Sequence, residues 1–225
     1  MNKKKIVTSL VATSMLGGLF VGGMSASAAD VDHDDTKVEF GFIKDYNPPK
    51  PQGPLKLRWT PKAFQFGNAH TVTTGVHDYE EINTTGGVGR YIVVDDQRPD
   101  AAGNEWKVTA ALSNITDGAS TPTPLTGAKI EMTLGNDVYK YTGSNEPIDA
   151  DITATVPNGE AVTAATTLTL VQGAGAVPVS TGPGTKQAAY ATKMTNIKLK
   201  DVTHSASYEG KQFSGNITWT LSDDI

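Results

Sequence analysis

From Trp106 to Leu112 the chain sets an apolar side chain at every second position: Trp106, Val108, Ala110 and Leu112. A period of two is the mark of a strand, whose successive side chains point to opposite faces. The pattern recurs. Leu55, Leu57 and Trp59 alternate, as do Ala128, Ile130, Met132 and Leu134, and Phe213, Ile217, Trp219 and Leu221 close the series in phase. Phe64, Phe66, Tyr91 to Val94, Ile152 to Val156, Thr166 to Val171 and Ile197 to Val202 give further short apolar runs. Turn-forming clusters separate them at Gly86-Gly87, Asp100 to Asn104, Gly118 to Pro124, Gly173 to Gly175 and Gly182 to Gly184. Many short alternating strands punctuated in this way predict an all-β fold, an antiparallel β-sandwich or a related two-sheet or barrel-like domain. Only Thr185 to Thr195 invites a helical assignment, and its threonines weaken it.

The flanks set the expected domain organisation. Lys3, Lys4 and Lys5 precede an apolar stretch from Ile6 to Val21, and Ala26-Ser27-Ala28 satisfies the small-x-small cleavage rule. Residues 1–28 are therefore expected to be a secretory signal peptide, with the mature chain beginning at Ala29. No second apolar run of spanning length follows, so no transmembrane segment is expected after cleavage. Ala29 to Asp35 is acidic and expected to be disordered. Val38, Phe40 and Phe42 alternate as one short strand. Four prolines between Asn47 and Pro54 then predict an extended linker. The expected division is 1–28 signal peptide, 29–54 tail and linker, and 55–225 folded domain.

Charge and composition exclude several function classes. The chain carries 19 Lys and Arg against 24 Asp and Glu. Removing the three leader lysines leaves a net charge of about −8, opposite to what nucleic acid or an anionic wall polymer attracts. There are no cysteines, where a secreted animal protein of this size would carry some disulfides. No His-Glu-x-x-His, Gly-x-Ser-x-Gly or phosphate-loop spacing is present, and there is no cysteine nucleophile. Of the four histidines, only His70 and His77 lie close in sequence, as ordinary solvated residues do. Glu80-Glu81 and Asp223-Asp224 are adjacent, and neighbours on a strand point to opposite faces, unlike a glycosidase pair. Asp95, Asp96 and Arg98 follow a strand run and predict a hairpin carrying an ion pair. No enzyme, cofactor or metal is expected.

Several segments together resemble one family. Leu55-Lys-Leu-Arg-Trp-Thr-Pro-Lys-Ala-Phe-Gln-Phe-Gly67 reads as an alternating strand, a proline, then Gln-Phe-Gly. Val93-Val-Asp-Asp-Gln-Arg98 leads into Gly103-Asn-Glu-Trp106, and Leu125 to Ile130 forms the next strand. Thr218-Trp-Thr-Leu-Ser-Asp223 closes the chain with a Trp-x-Leu signature, of which Trp106-Lys107-Val108 is a looser copy. In this order, over about Leu55 to Ile225, the segments resemble the WxL domain of Gram-positive bacteria. The chain departs from the family pattern in having Val108 for leucine, two residues between Gly103 and Trp106, and an Asp-Asp-Ile tail.

The resemblance implies a non-catalytic, secreted protein held non-covalently on the cell wall, with peptidoglycan as ligand. It also implies an alternative: a protein-interaction subunit of a surface complex, bound by a membrane-anchored WxL-interacting protein or other WxL proteins, with a host-matrix adhesion role. The residues it nominates for wall or partner binding are Trp106, Val108, Trp219 and Leu221. Two placements are open to them. Sharing a strand face with Ala110, Leu112 and Ile217, they belong in a core between two sheets. At a sheet rim, a tryptophan instead stacks on a sugar ring or anchors a partner.

Overall fold

The alternation of β6 (Trp106–Leu112) is matched by its burial, every second residue being enclosed. In the computed structural model this strand lies inside one of two packed sheets. The structure describes residues 29–39, 53–82, 90–99, 105–143, 147–152, 162–184 and 187–223. Residues 1–28, with the expected leader, lie outside these, as do Phe40, Phe42 and linker residues 47–52.

The first sheet contains β1 (Ala29–Glu39), β3 (Ala63–Gln65), β6, β8 (Thr163–Ala164), β10 (Val177–Gly182) and β12 (Ser214–Asp223), in the spatial order β3-β1-β12-β6-β10-β8. The second contains β2 (Leu55–Trp59), β5 (Arg90–Asp96), β7 (Lys129–Lys140), β9 (Thr167–Val171) and β11 (Ala188–Thr203), in the order β2-β5-β11-β7-β9. β4 (Val76–Glu80) also pairs with β11, beyond the stretch that pairs with β5. All pairs are antiparallel except β1 with β3, which run parallel. The two sheets close over a common core that includes Phe64, Trp106, Ile130, Leu168 and Trp219. The fold is an all-β sandwich. Among the described residues no helix is long and apolar enough to cross a membrane.

Three expectations are corrected. Ala29 to Asp35 is not disordered: it forms most of β1, paired with β12 from Ala29↔Asp223 to Glu39↔Ser214. Its acidic residues alternate with purpose. Asp32, Asp34 and Thr36 lie opposite Leu221, Trp219 and Ile217, on the inward side. There Asp32 accepts the Leu57 amide at 2.7 Å, and Asp34 accepts the Thr60 hydroxyl at 2.8 Å. The inward carboxylates thus replace apolar packing with bonds to β2 and the segment after it.

Gln187 to Thr195, the described part of the segment that invites a helical assignment, contains no helix. From Ala188 it runs in β11, a 16-residue strand at the centre of its sheet. β11 crosses between neighbours on both sides and is covered on both faces over Ala189 to Thr192, which explains its lack of strand alternation. Two residues in the left-handed region, Asn196 (φ 50°) and Asp201 (φ 58°), coincide with its register shifts, Thr195/Lys198 and Leu199/Val202. Asn and Asp tolerate that conformation and let a long strand bend by bulging. Finally, Ile152 caps a 3-10 turn (Asp149–Asp151) instead of starting a strand, and 153–156 lie outside the described residues. Ile152 covers a small outer cluster with Tyr91, Val93 and Tyr141.

Candidate functional site

The two tryptophan motifs occupy neighbouring strands. β6 and β12 pair antiparallel, with Leu221 opposite Val108, Trp219 opposite Ala110 and Asp223 opposite Trp106. Segments more than a hundred residues apart are thereby placed side by side. All four nominated side chains point inward: Trp106 is 1% exposed, and Val108, Trp219 and Leu221 are 0% exposed. Their large apolar area sits between the sheets, where it does most for stability.

The two indoles are held differently. The Trp219 Nε1–H donates to the Thr36 hydroxyl at 2.5 Å, and that hydroxyl donates in turn to the Pro61 carbonyl. A strand the sequence reads as a tail therefore holds the C-terminal tryptophan. The Trp106 Nε1 is buried without a hydrogen-bond partner among the described residues. Its ring lies against Gly182 of β10, its register partner, and faces Tyr190 of the opposite sheet at a centroid distance of 6.1 Å. A Cβ at Gly182 would collide with the indole, so this position accommodates only hydrogen without rearrangement. The glycine is visible in the sequence; that it faces Trp106 is not.

An ionic bridge closes the same end of the sandwich. Arg98 forms a fork on Asp96, with Nε to Oδ1 and Nη2 to Oδ2 both at 2.9 Å. Its Nη1 reaches Asp223, opposite Trp106 at the end of β12. Asp96 is 1% exposed, and its hydrogen bonds are the leading reason the Arg98 pKa is raised. The expected surface ion pair is thus a buried bridge between sheets. Asp95 points to the other face and pairs with Lys56 at 3.7 Å and Arg58 at 3.9 Å.

The outer faces of the motif strands are polar. Thr218, Thr220 and Ser222 of β12 alternate with the inward residues, next to Ala111, Thr109 and Lys107 of β6. On the β1 side, His33 lies opposite Thr220, and Asp35 accepts the Thr218 hydroxyl at 2.7 Å. The result is an outer face bearing a row of hydroxyls, with the two indoles on the inner side of the same strands.

A family model for the WxL domain, described as surface cell wall-binding, matches residues 33–224. The chain belongs to the WxL domain family. The match begins within β1 and ends at the close of β12, so it takes in the acidic strand as well as both Trp motifs. No curated protein and no solved structure matches the chain. As a WxL surface domain the protein is extracellular and associated with the cell wall.

The remaining candidate groups are distributed elsewhere. Glu80 pairs with Lys198 and Glu81 with Arg90, so these adjacent carboxylates are engaged on different partners. Among the described residues no group of three or more His, Asp or Glu is arranged to hold a metal ion. His70 and His77 are joined by His204, which the sequence places far away. The rings of His77 and His204 lie 4.2 Å apart, beyond the opposite end of β11 from the Trp106 bridge.

Proposed function

We propose that this WxL domain attaches its protein directly and non-covalently to Gram-positive peptidoglycan, without catalysis, after export directed by residues 1–28. The observation that carries this reading is the pairing of both Trp motifs on adjacent strands that share one hydroxyl-bearing outer face. Trp106, Val108, Trp219 and Leu221 serve binding from within, by holding β6 and β12 in register. Thr109, Thr218, Thr220 and Ser222 make the contact. Hydroxyls in a fixed row suit the hydroxyl and amide groups of a glycan, and they require no positive charge. That agrees with a chain whose acids outnumber its bases. The engagement of Glu80, Glu81 and Asp223 in ion pairs supports a binding role over hydrolysis.

The test is sedimentation of the purified protein with protein-stripped sacculi at low and high salt. Binding is expected to survive high salt, because a contact made by uncharged hydroxyls offers no charge pair for salt to screen. Thr220→Arg, on the outer face of β12, should reduce binding at least about tenfold, the loss of roughly 1.4 kcal/mol of contact energy. Thr169→Arg, on an exposed position of the other sheet, should leave it unchanged. Failure of folded wild-type protein to sediment would transfer the attachment to a membrane-anchored WxL-interacting partner.

A further inference from the structure

Three of the four histidines converge on one surface segment. Between Phe66 and Gly75 the chain has no strand or helix, and each imidazole ties it down. His70 Nε2 bonds the Phe66 carbonyl at 2.6 Å. His77 Nε2 lies 3.1 Å from the Thr73 hydroxyl and 3.4 Å from the Thr74 carbonyl. His204 Nδ1 accepts the Thr73 backbone N–H at 3.0 Å. Glycines in the left-handed region flank the segment, Gly67 at φ 93° and Gly75 at φ 116°, so the chain turns sharply at both ends.

Beneath the segment is a cavity of about 50 Å³. Leu125, Leu199, Val202, Tyr208 and Phe213 line it from the body of the sandwich, and His70 and Val72 line it from the segment. Phe66 anchors one end of the segment in the core, and the His204 backbone N–H, donated to the Gly75 carbonyl at 3.0 Å, holds the other. Between them only Val72 packs on the core, so the imidazole bonds fasten the middle.

The bond from Thr73 fixes the state of His204. A backbone amide only donates, so Nδ1 must carry a lone pair and the ring must be neutral. Its proton then resides on Nε2, which donates to the Tyr79 oxygen at 2.5 Å. Adding a second proton would place Nδ1–H against the Thr73 N–H, two donors facing each other.

We propose that Gly67 to Thr74 is an acid-released lid over this cavity, latched by the bond from the Thr73 amide to His204. Protonation abolishes the latch and sets a positive ring 4.2 Å from the His77 ring. Among the described residues no carboxylate bonds His204 or His77 in compensation. His70 lies 4.2 Å from the Tyr79 ring and adds a further imidazole, and Tyr208 is bonded to the Pro124 carbonyl. Lys211 is a cation, held by Asp117 at 2.7 Å. On β4 the carboxylates face away from His77 and Tyr79: Asp78 accepts the Asp201 amide and Glu80 pairs with Lys198. Burial, with His77 next, lowers the His204 pKa, so the closed form binds its proton less readily than the open one. Opening is therefore favoured as pH falls below about 6.5, by up to about tenfold per pH unit.

The absence of cysteines makes a thiol probe specific. With Val72→Cys the labelling rate reports lid opening, and Thr169→Cys on β9 gives an exposed reference. Their ratio cancels the pH dependence of thiolate formation. Between pH 7.5 and 5.5 the ratio should rise, by up to about tenfold, with unchanged circular dichroism. His204→Asn keeps an acceptor near the place of Nδ1 but does not titrate, and should hold the ratio flat. A constant ratio in the unaltered background, the same rise with His204→Asn, or a rise that coincides with global unfolding would overturn the proposal. Should His204→Asn not fold, His77→Gln decides: without the neighbouring imidazole the closed form binds the His204 proton more readily, so the rise should be smaller, and an undiminished rise overturns the latch.

Discussion

The Thr36 hydroxyl is the clearest case of one atom supporting a motif far away in sequence. It accepts the Trp219 indole N–H and donates to the Pro61 carbonyl, joining three segments. Thr36→Val preserves shape but removes both bonds and leaves a buried donor and a buried acceptor unpaired. A loss of about 1–3 kcal/mol is expected, read as a lower urea midpoint at unchanged slope. Thr36→Ser keeps the hydroxyl and should lose less. Trp106 offers the contrast. Its N–H has no such partner, and its place depends on the missing side chain of Gly182. Sequence shows that both tryptophans sit on apolar strand faces, and the core is where they are found. It does not show that one indole is hydrogen-bonded and the other packed on glycine, because the partners come from strands 183 and 76 residues away.

At the scale of elements, the strands with strict alternation were legible: β2, β6, β9 and β12 appear where the apolar period places them. The elements that were not legible break that period for physical reasons. β11 is covered on both faces over part of its length and bulges where Asn196 and Asp201 adopt positive φ, so its pattern never settles into a period of two. β1 has the right period written in polar letters, since Asp32, Asp34 and Thr36 face inward. The inward carboxylates have a measurable consequence. Burial raises the Asp32 pKa, with the Leu57 amide working against it. Because the folded state then binds this proton more tightly than the unfolded chain, the Asp32 contribution declines as pH rises from about 3.8 through the raised value. Asp32→Asn retains an acceptor for Leu57 and removes the ionisation. The stability of Asp32→Asn relative to wild type should therefore increase with pH across that window and then level off. Parallel denaturant titrations from pH 3.5 to 7 test it, and a difference independent of pH would refute the account.

Across the whole molecule, one end of the sandwich is closed by the Asp96–Arg98–Asp223 bridge and the other carries the histidine latch. The two ends answer to different stresses. The latch is a local fastening of a surface segment. The bridge spans both sheets beside Trp106, and its innermost member, Asp96, is almost wholly removed from water. Breaking a buried pair from one side is more damaging than its net worth suggests, because the remaining charge keeps its desolvation penalty. Arg98→Met strands Asp96 and should lower stability by about 3–5 kcal/mol. Adding Asp96→Asn to Arg98→Met removes the stranded charge and should recover a large part of that loss. Asp223→Asn alone leaves the Asp96 fork intact, and since Asp223 is 20% exposed by its side chain, its effect should be about 1 kcal/mol or less. Equilibrium unfolding of these variants orders them, and equal losses for Arg98→Met and Asp223→Asn would show that the stranded Asp96 charge is not the main cost of breaking the bridge. The same series separates scaffold from contact. If the outer hydroxyl face of β12 and β6 carries wall attachment, Asp223→Asn should still bind sacculi, because Thr218 and Thr220 remain in register with Ala111 and Thr109. Arg98→Met should bind in proportion to the fraction folded.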